Sequence, residues 1–165
     1  MDFDWKTLKS GTDLRGVASG DGSRPVVLTP ERARQVGAAF AALLRELSPG
    51  RDPIAVSVGH DSRTTGPALA KAARQGLSAA GARVLDVGLC TTPAMYLTLR
   101  HPETACDGAI MVTASHLPSE RNGLKFFGPG GGLNGRQIDR LLELVAALPP
   151  AEGPDAARRM DFLPL

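Results

Sequence analysis

The chain has 165 residues, 42% of them hydrophobic and 22% charged, with a net charge of +2. That is one domain's worth of ordinary globular sequence, long enough to bury roughly 70% of its unfolded surface. So small a charge, with no Lys/Arg cluster interleaved with aromatics, argues against a nucleic-acid binder, and no run of about 18 apolar residues offers a membrane span. Aromatics make up only 4%, so the core must rest on Ala, Leu and Val. Cys90 and Cys106 fit neither a C-x-x-C nor a zinc spacing and read as two free thiols of a reducing compartment. The opening Met-Asp-Phe-Asp-Trp-Lys lacks the basic and apolar regions of a secretory leader. A cytoplasmic location is the expectation.

Gly11-Thr12-Asp13-Leu14-Arg15-Gly16-Val17 comes first. Read locally, it is a strand edge with an Asp/Arg surface pair that contributes little, about 0–1 kcal/mol. Residues 19–24 are Gly/Ser-rich loop. Thr29-Pro30-Glu31 starts a helix, with an N-cap hydroxyl, Pro at the first helical position and an acid in the first turn. Ala33, Val36, Gly37, Phe40, Leu44 and Leu47 form its apolar stripe, and Ser48-Pro49-Gly50 ends it.

Residues 54–58 read as a strand that delivers the loop Gly59-His60-Asp61-Ser62-Arg63-Thr64-Thr65-Gly66-Pro67. Pro67 opens a second helix, with Leu69, Ala70, Ala73, Leu77 and Ala80 on one face and Gly81 just past its end. Residues 83–87 are the next strand. Thr92 is expected to cap a short helix running to Leu99, and nothing beside Cys90 would lower its pKa.

Asp107 to Phe127 is the informative stretch. Residues 109–112 suit a strand buried on both faces. It stops at Thr113-Ala114-Ser115-His116, and Pro118 forbids the ladder from continuing. Asn122-Gly123 reads as a hairpin turn and residues 124–127 as a second, antiparallel strand. Ser115 then sits past the carboxyl end of a strand, where open α/β sheets place their ligands. Strand alternation sends Leu124 and Phe126 to one face and Lys125 to the other, towards the serine's loop. Gly128-Pro129-Gly130-Gly131-Gly132 lacks the P-loop pattern and is a plain turn. Leu133 or Asn134 starts the last helix, with Ile138, Leu141, Leu142, Val145 and Leu148 as its stripe. Alternating strands and helices predict an α/β fold, a three-layer α/β/α domain with a mixed, mostly parallel sheet. It should occupy residues 1–148, leaving 149–165 as a linker or the start of a second domain.

Thr113-Ala114-Ser115-His116-Leu117-Pro118, followed by Asn122-Gly123-Leu124-Lys125, resembles the active-site serine loop of the phosphohexomutases, the phosphoglucomutase/phosphomannomutase superfamily. Leu117 stands where that family usually has Asn. Asp13-Leu14-Arg15-Gly16, the loop 59–67 and Gly88-Leu89-Cys90-Thr91-Thr92-Pro93 resemble further segments of the same family, in the same order. The resemblance covers the family's first domain. It implies that Ser115 is carried as a phosphoserine and exchanges its phosphoryl group with a hexose phosphate, primed by a hexose 1,6-bisphosphate. It gives Arg15 and Asn122 to phosphate or substrate binding. Lys125 is implied as countercharge or proton carrier, and His116 as support for the loop or a phosphate contact. Asp61 and Arg63 are implied as a structural pair. The family binds Mg²⁺ through a phosphoserine oxygen and three aspartates of a D-G-D-G-D-R run; no such run occurs here, so Ser115 is the sole candidate ligand. The remaining mutase domains are the implied partners, and without them the chain is expected to be inactive. The variant loop also resembles a plastid-associated branch, which would require an unseen transit peptide. A non-catalytic module that binds sugar phosphates is the alternative. A serine hydrolase is disfavoured because G-x-S-x-G is missing around Ser115.

Overall fold

The computed structural model describes residues 3–150 and 152–160. Strands and helices alternate, and the helices bury their apolar faces against the sheet and against neighbouring helices. In chain order the strands are β1 (Lys9–Ser10), β2 (Asp13–Val17), β3 (Ala55–His60), β4 (Arg83–Leu89), β5 (Gly108–Val112), β6 (Arg121–Gly128), β7 (Gly131–Gly132) and β8 (Arg158–Arg159). The α-helices are α1 (Pro30–Leu47), α2 (Gly66–Ala79), α3 (Thr92–Leu97) and α4 (Gly135–Ala147). The sheet runs β1-β2-β6-β5-β3-β4-β8, with β7 beside β6. β5, β3, β4 and β8 pair in parallel, whereas β6 is antiparallel to β2, β5 and β7, and β1 to β2. All the described strands except β1 and β6 therefore point the same way, in a mixed, mostly parallel sheet. Helices α1, α2 and α4 cover one face, in a core that includes Leu14, Ile110, Leu124 and Phe126. The tilted rings of Phe40 and Phe126, 5.1 Å apart, tie α1 to β6. On the other face Met95 of α3 packs on Val87, Ala109 and Met111. These are the three layers of an α/β/α domain.

The helix starts follow from capping. Thr29 accepts from the Arg32 N–H with Pro30 at the first position, and Asn134 forms a reciprocal capping box with Gln137. The cap of α3 is Thr91, not Thr92: its side chain accepts from the Ala94 N–H, and Thr92 is already helical. Gly81 follows α2 at φ +80°, the left-handed stop that glycine supplies. Leu148 departs from the expected stripe; it caps α4 with extended backbone and is exposed.

Asn122-Gly123 is not a turn. Both residues lie inside β6, paired with Gly16 and Arg15 of β2. The reversal occurs earlier, in the loop 113–120, where Leu117 N–H donates to Ala114 O and Arg121 N–H to Pro118 O. The Asn-Gly signal loses because β6 is clamped between two partner strands, whose ladders outweigh a local turn preference. Gly123 is needed for another reason. A Cβ there would fall 2.7 Å from the Leu14 and Thr113 carbonyl oxygens and 2.9 Å from Arg15 Cγ. The period-free tail is not featureless either: β8 extends the sheet beside β4, and Arg74 grips Asp155 through Nη2 at 2.8 Å while reaching Asp86 through Nη1 at 3.2 Å.

Candidate active site

Ser115 sits in the loop after β5, at the rim where β2, β3, β4 and β5 all end. Its side chain is exposed and its backbone is left-handed, φ +57°, a conformation that costs a non-glycine residue about 1–2 kcal/mol. Two groups hold it there. Thr113 Oγ1 donates to Asp61 Oδ2 at 2.7 Å and accepts from the Ser115 N–H at 2.9 Å. Arg63 donates through Nη1 to the carbonyls of Pro118 (2.8 Å) and Arg121 (3.0 Å), and through Nη2 to those of Ser115 (2.8 Å) and Leu117 (2.7 Å). Arg63 Nε also faces Asp61 Oδ2 at 3.4 Å without making a hydrogen bond, so that part of the pair is purely electrostatic. Asp61 and Arg63 do pair as expected. The loop they shape, however, is the serine's and not only their own. Asp61, Arg63, Ser115 and Leu117 line an open cleft of about 400 Å³. His116 is exposed, with Nδ1 3.3 Å from Ser115 Oγ.

Arg15 and Lys125 lie together on the α3 side of the sheet. The link between them is Asp13, which is only 5% exposed. Its Oδ2 accepts from Arg15 Nη2 at 2.8 Å and its Oδ1 from Lys125 Nζ at 3.1 Å. The Asp13/Arg15 pair is thus buried and not on the surface, because register sets Asp13 directly opposite Lys125. Arg15 Cγ passes over Gly123 beside the Thr113 carbonyl, two residues from the serine. Two cations and one carboxylate leave this trio with a net charge of +1. Asn122 does not join the site. It is fully buried on the opposite face, where its Nδ2 donates to Thr65 Oγ1 at 2.8 Å and its Oδ1 accepts from Gly123 N–H. It anchors the start of α2 to β6 and is not free to contact a ligand.

Both cysteines are free thiols, each pushed up to about 11 by burial, so neither is a nucleophile near neutrality. His60 ends β3 with Nδ1 2.8 Å from the Asp61 carbonyl. Among the described residues no group of three or more His, Cys, Asp or Glu side chains is placed to hold a metal ion. Asp61 is spent on Thr113 and Asp13 on its two cations, so this donor set does not by itself fit Mg²⁺. A larger cavity, about 560 Å³, lies at the opposite rim and is lined by Arg83, Cys106 and Arg158; Ser115, His116, Asp61 and Arg63 do not line it. No described helix is long and apolar enough to cross a membrane.

Fold and site together define an α/β/α domain whose sheet rim carries an exposed serine with left-handed backbone, Ser115, in an open cleft. The chain belongs to the phosphoglucomutase/phosphomannomutase family: residues 7–149 match its α/β/α domain I. It is 41% identical over 141 residues to a phosphoglucosamine mutase of Symbiobacterium thermophilum, covering 84% of this chain and 30% of that protein. It is 39% identical over 118 residues to a phosphoglucomutase/phosphomannomutase of Thermococcus kodakarensis, covering 72% of this chain and 24% of that protein. A crystal structure of a phosphoglucomutase/phosphomannomutase family protein from Burkholderia thailandensis superposes with a TM-score of 0.76 at 31% identity, over 94% of this chain and 33% of that one. The chain thus spans about a third or less of the length of these relatives.

Proposed function

We propose that this chain is the serine-bearing domain of a phosphohexomutase and that Ser115 carries the phosphoryl group. One observation carries the reading: an exposed hydroxyl held left-handed at the rim by Asp61, Thr113 and Arg63. In the proposed transfer, a hydroxyl oxygen of a hexose phosphate forms a bond to phosphorus as the Ser115 Oγ–P bond breaks. The sugar's hydroxyl proton ends on Ser115 Oγ, and His116, 3.3 Å from that oxygen, is the neighbour that can hold it in passing. Phosphoserine brings roughly −1.5 to −2 charges, and positive charge around the phosphoryl oxygens is what such transfer needs. Arg15 and Lys125 provide that charge, with Lys125 acting as an ion-paired cation and not as the base. Asp13 cancels half of it. Phosphate-monoester hydrolysis is among the slowest uncatalysed reactions, with enzymatic accelerations reaching about 10²¹-fold. A net +1 trio without a metal site is far from sufficient, so the chain alone should not interconvert glucose 1-phosphate and glucose 6-phosphate.

The test is to incubate the chain, together with the remaining domains of a homologous mutase, with glucose 1,6-bisphosphate and to locate phosphate by mass spectrometry. Label on Ser115, lost in Ser115→Ala, is the expected result. Label elsewhere, or none, would favour a non-catalytic binding module.

A further inference from the structure

Arg63 lies 52 residues before the serine whose carbonyl it binds, yet both of its terminal nitrogens are spent on that serine's loop. Its side chain is 13% exposed, and it makes charge-assisted hydrogen bonds to carbonyls of which those of Ser115 and Pro118 belong to exposed residues. Four carbonyls converging on one point need a donor with several N–H groups fixed in a plane, which only a guanidinium offers. The carbonyl oxygens of residues 115, 117, 118 and 121 are drawn towards Arg63, while the Ser115, Leu117 and Arg121 N–H groups are spent within the loop on Thr113 Oγ1 and the Ala114 and Pro118 carbonyls. Among the described residues, the backbone N–H groups of His116, Ser119 and Glu120 donate to nothing. Of these only the His116 N–H adjoins the left-handed Ser115; Ser119 and Glu120 lie beyond Pro118. A strained residue such as Ser115 also persists only where its surroundings over-determine it.

We propose that Arg63 is a positioning residue. It keeps Ser115 left-handed and holds the serine loop's carbonyls inward, so that the His116 N–H beside the serine remains for an oxygen of a phosphoryl group. The consequence for phosphoryl transfer rests on reading Ser115 as the carrier; the effect on the loop does not.

The test uses Arg63→Gln and Arg63→Lys in the full chain, with two readouts. Hydrogen exchange followed by mass spectrometry should show peptides covering 113–121 exchanging roughly tenfold or more faster in Arg63→Gln, with β3 and β5 unchanged. Ser115 labelling by glucose 1,6-bisphosphate should slow by a comparable factor while the concentration giving half-maximal rate stays put. Arg63→Lys, with one nitrogen in place of a fork, should recover only part of either loss. Unchanged loop exchange, or acceleration spread evenly over the whole domain, would overturn the proposal. If the unmodified chain takes up no phosphate even with the rest of a homologous mutase present, the carrier reading falls, and the exchange data still decide the role of Arg63.

Discussion

Asp13 holds two cations and has little water around it. Removing it in Asp13→Ala would leave Arg15 and Lys125, 18% and 33% exposed, facing each other unpaired. Breaking a buried pair costs about 3–5 kcal/mol, but the partial exposure of Lys125 moderates this, and a loss of about 2–3 kcal/mol in urea unfolding is expected. A loss below about 0.5 kcal/mol would mean that solvent already screens the trio. Asp13-Leu14-Arg15 is legible in the sequence as a pair on one strand face. The third member is 112 residues away, and only the β2/β6 register brings it in. Asn122 fails for a related reason. Beside a glycine it looks like turn chemistry, whereas its burial and its bond to Thr65 are tertiary facts with no local signature. The loop reversal did have a signal upstream, in Pro118 and Ser119, which the Asn-Gly pair overshadowed.

At the scale of elements, helix boundaries were the most legible part. Caps act within four residues, so Thr29-Pro30 announces its helix directly, whereas the sequence leaves Leu133 or Asn134 open for the last helix and points to Thr92 where Thr91 is the cap. Helix contacts were less visible. α1 and α2 approach so closely that a Cβ on Gly37 would meet the Ala73 carbonyl, and one on Gly76 the Arg34 carbonyl. Gly76→Ala would normally favour a helix by about 1 kcal/mol. Here it must push two backbones apart, so a net destabilisation of about 2–3 kcal/mol is expected, read as a lowered thermal midpoint. An unchanged or raised midpoint would show that the crossing is looser than it looks. Nothing in the sequence around either glycine distinguishes close packing from a helix flaw.

Across the whole molecule, the three layers could be read from alternating patterns, but the edge of the sheet could not. β8 is two residues long, too short for any period, and it is held by Arg74, Asp155 and the Met160 N–H bond to the Asp86 carbonyl at 2.8 Å. Asp155→Ala should release this segment without unfolding the core. Trypsin should then cut at Arg158-Arg159 several-fold sooner, while the thermal midpoint moves little; equal cleavage rates would show that the Arg74 grip is dispensable. The loop 113–120 is fastened differently, at both ends by neighbouring strands and in its middle by a guanidinium. If Ser115 is the carrier, a loop bolted at three points cannot travel. If one hydroxyl serves both ends of the same sugar, the swivel must be made by the visitor, which has to let go of its first pose and present its other end to a stationary post.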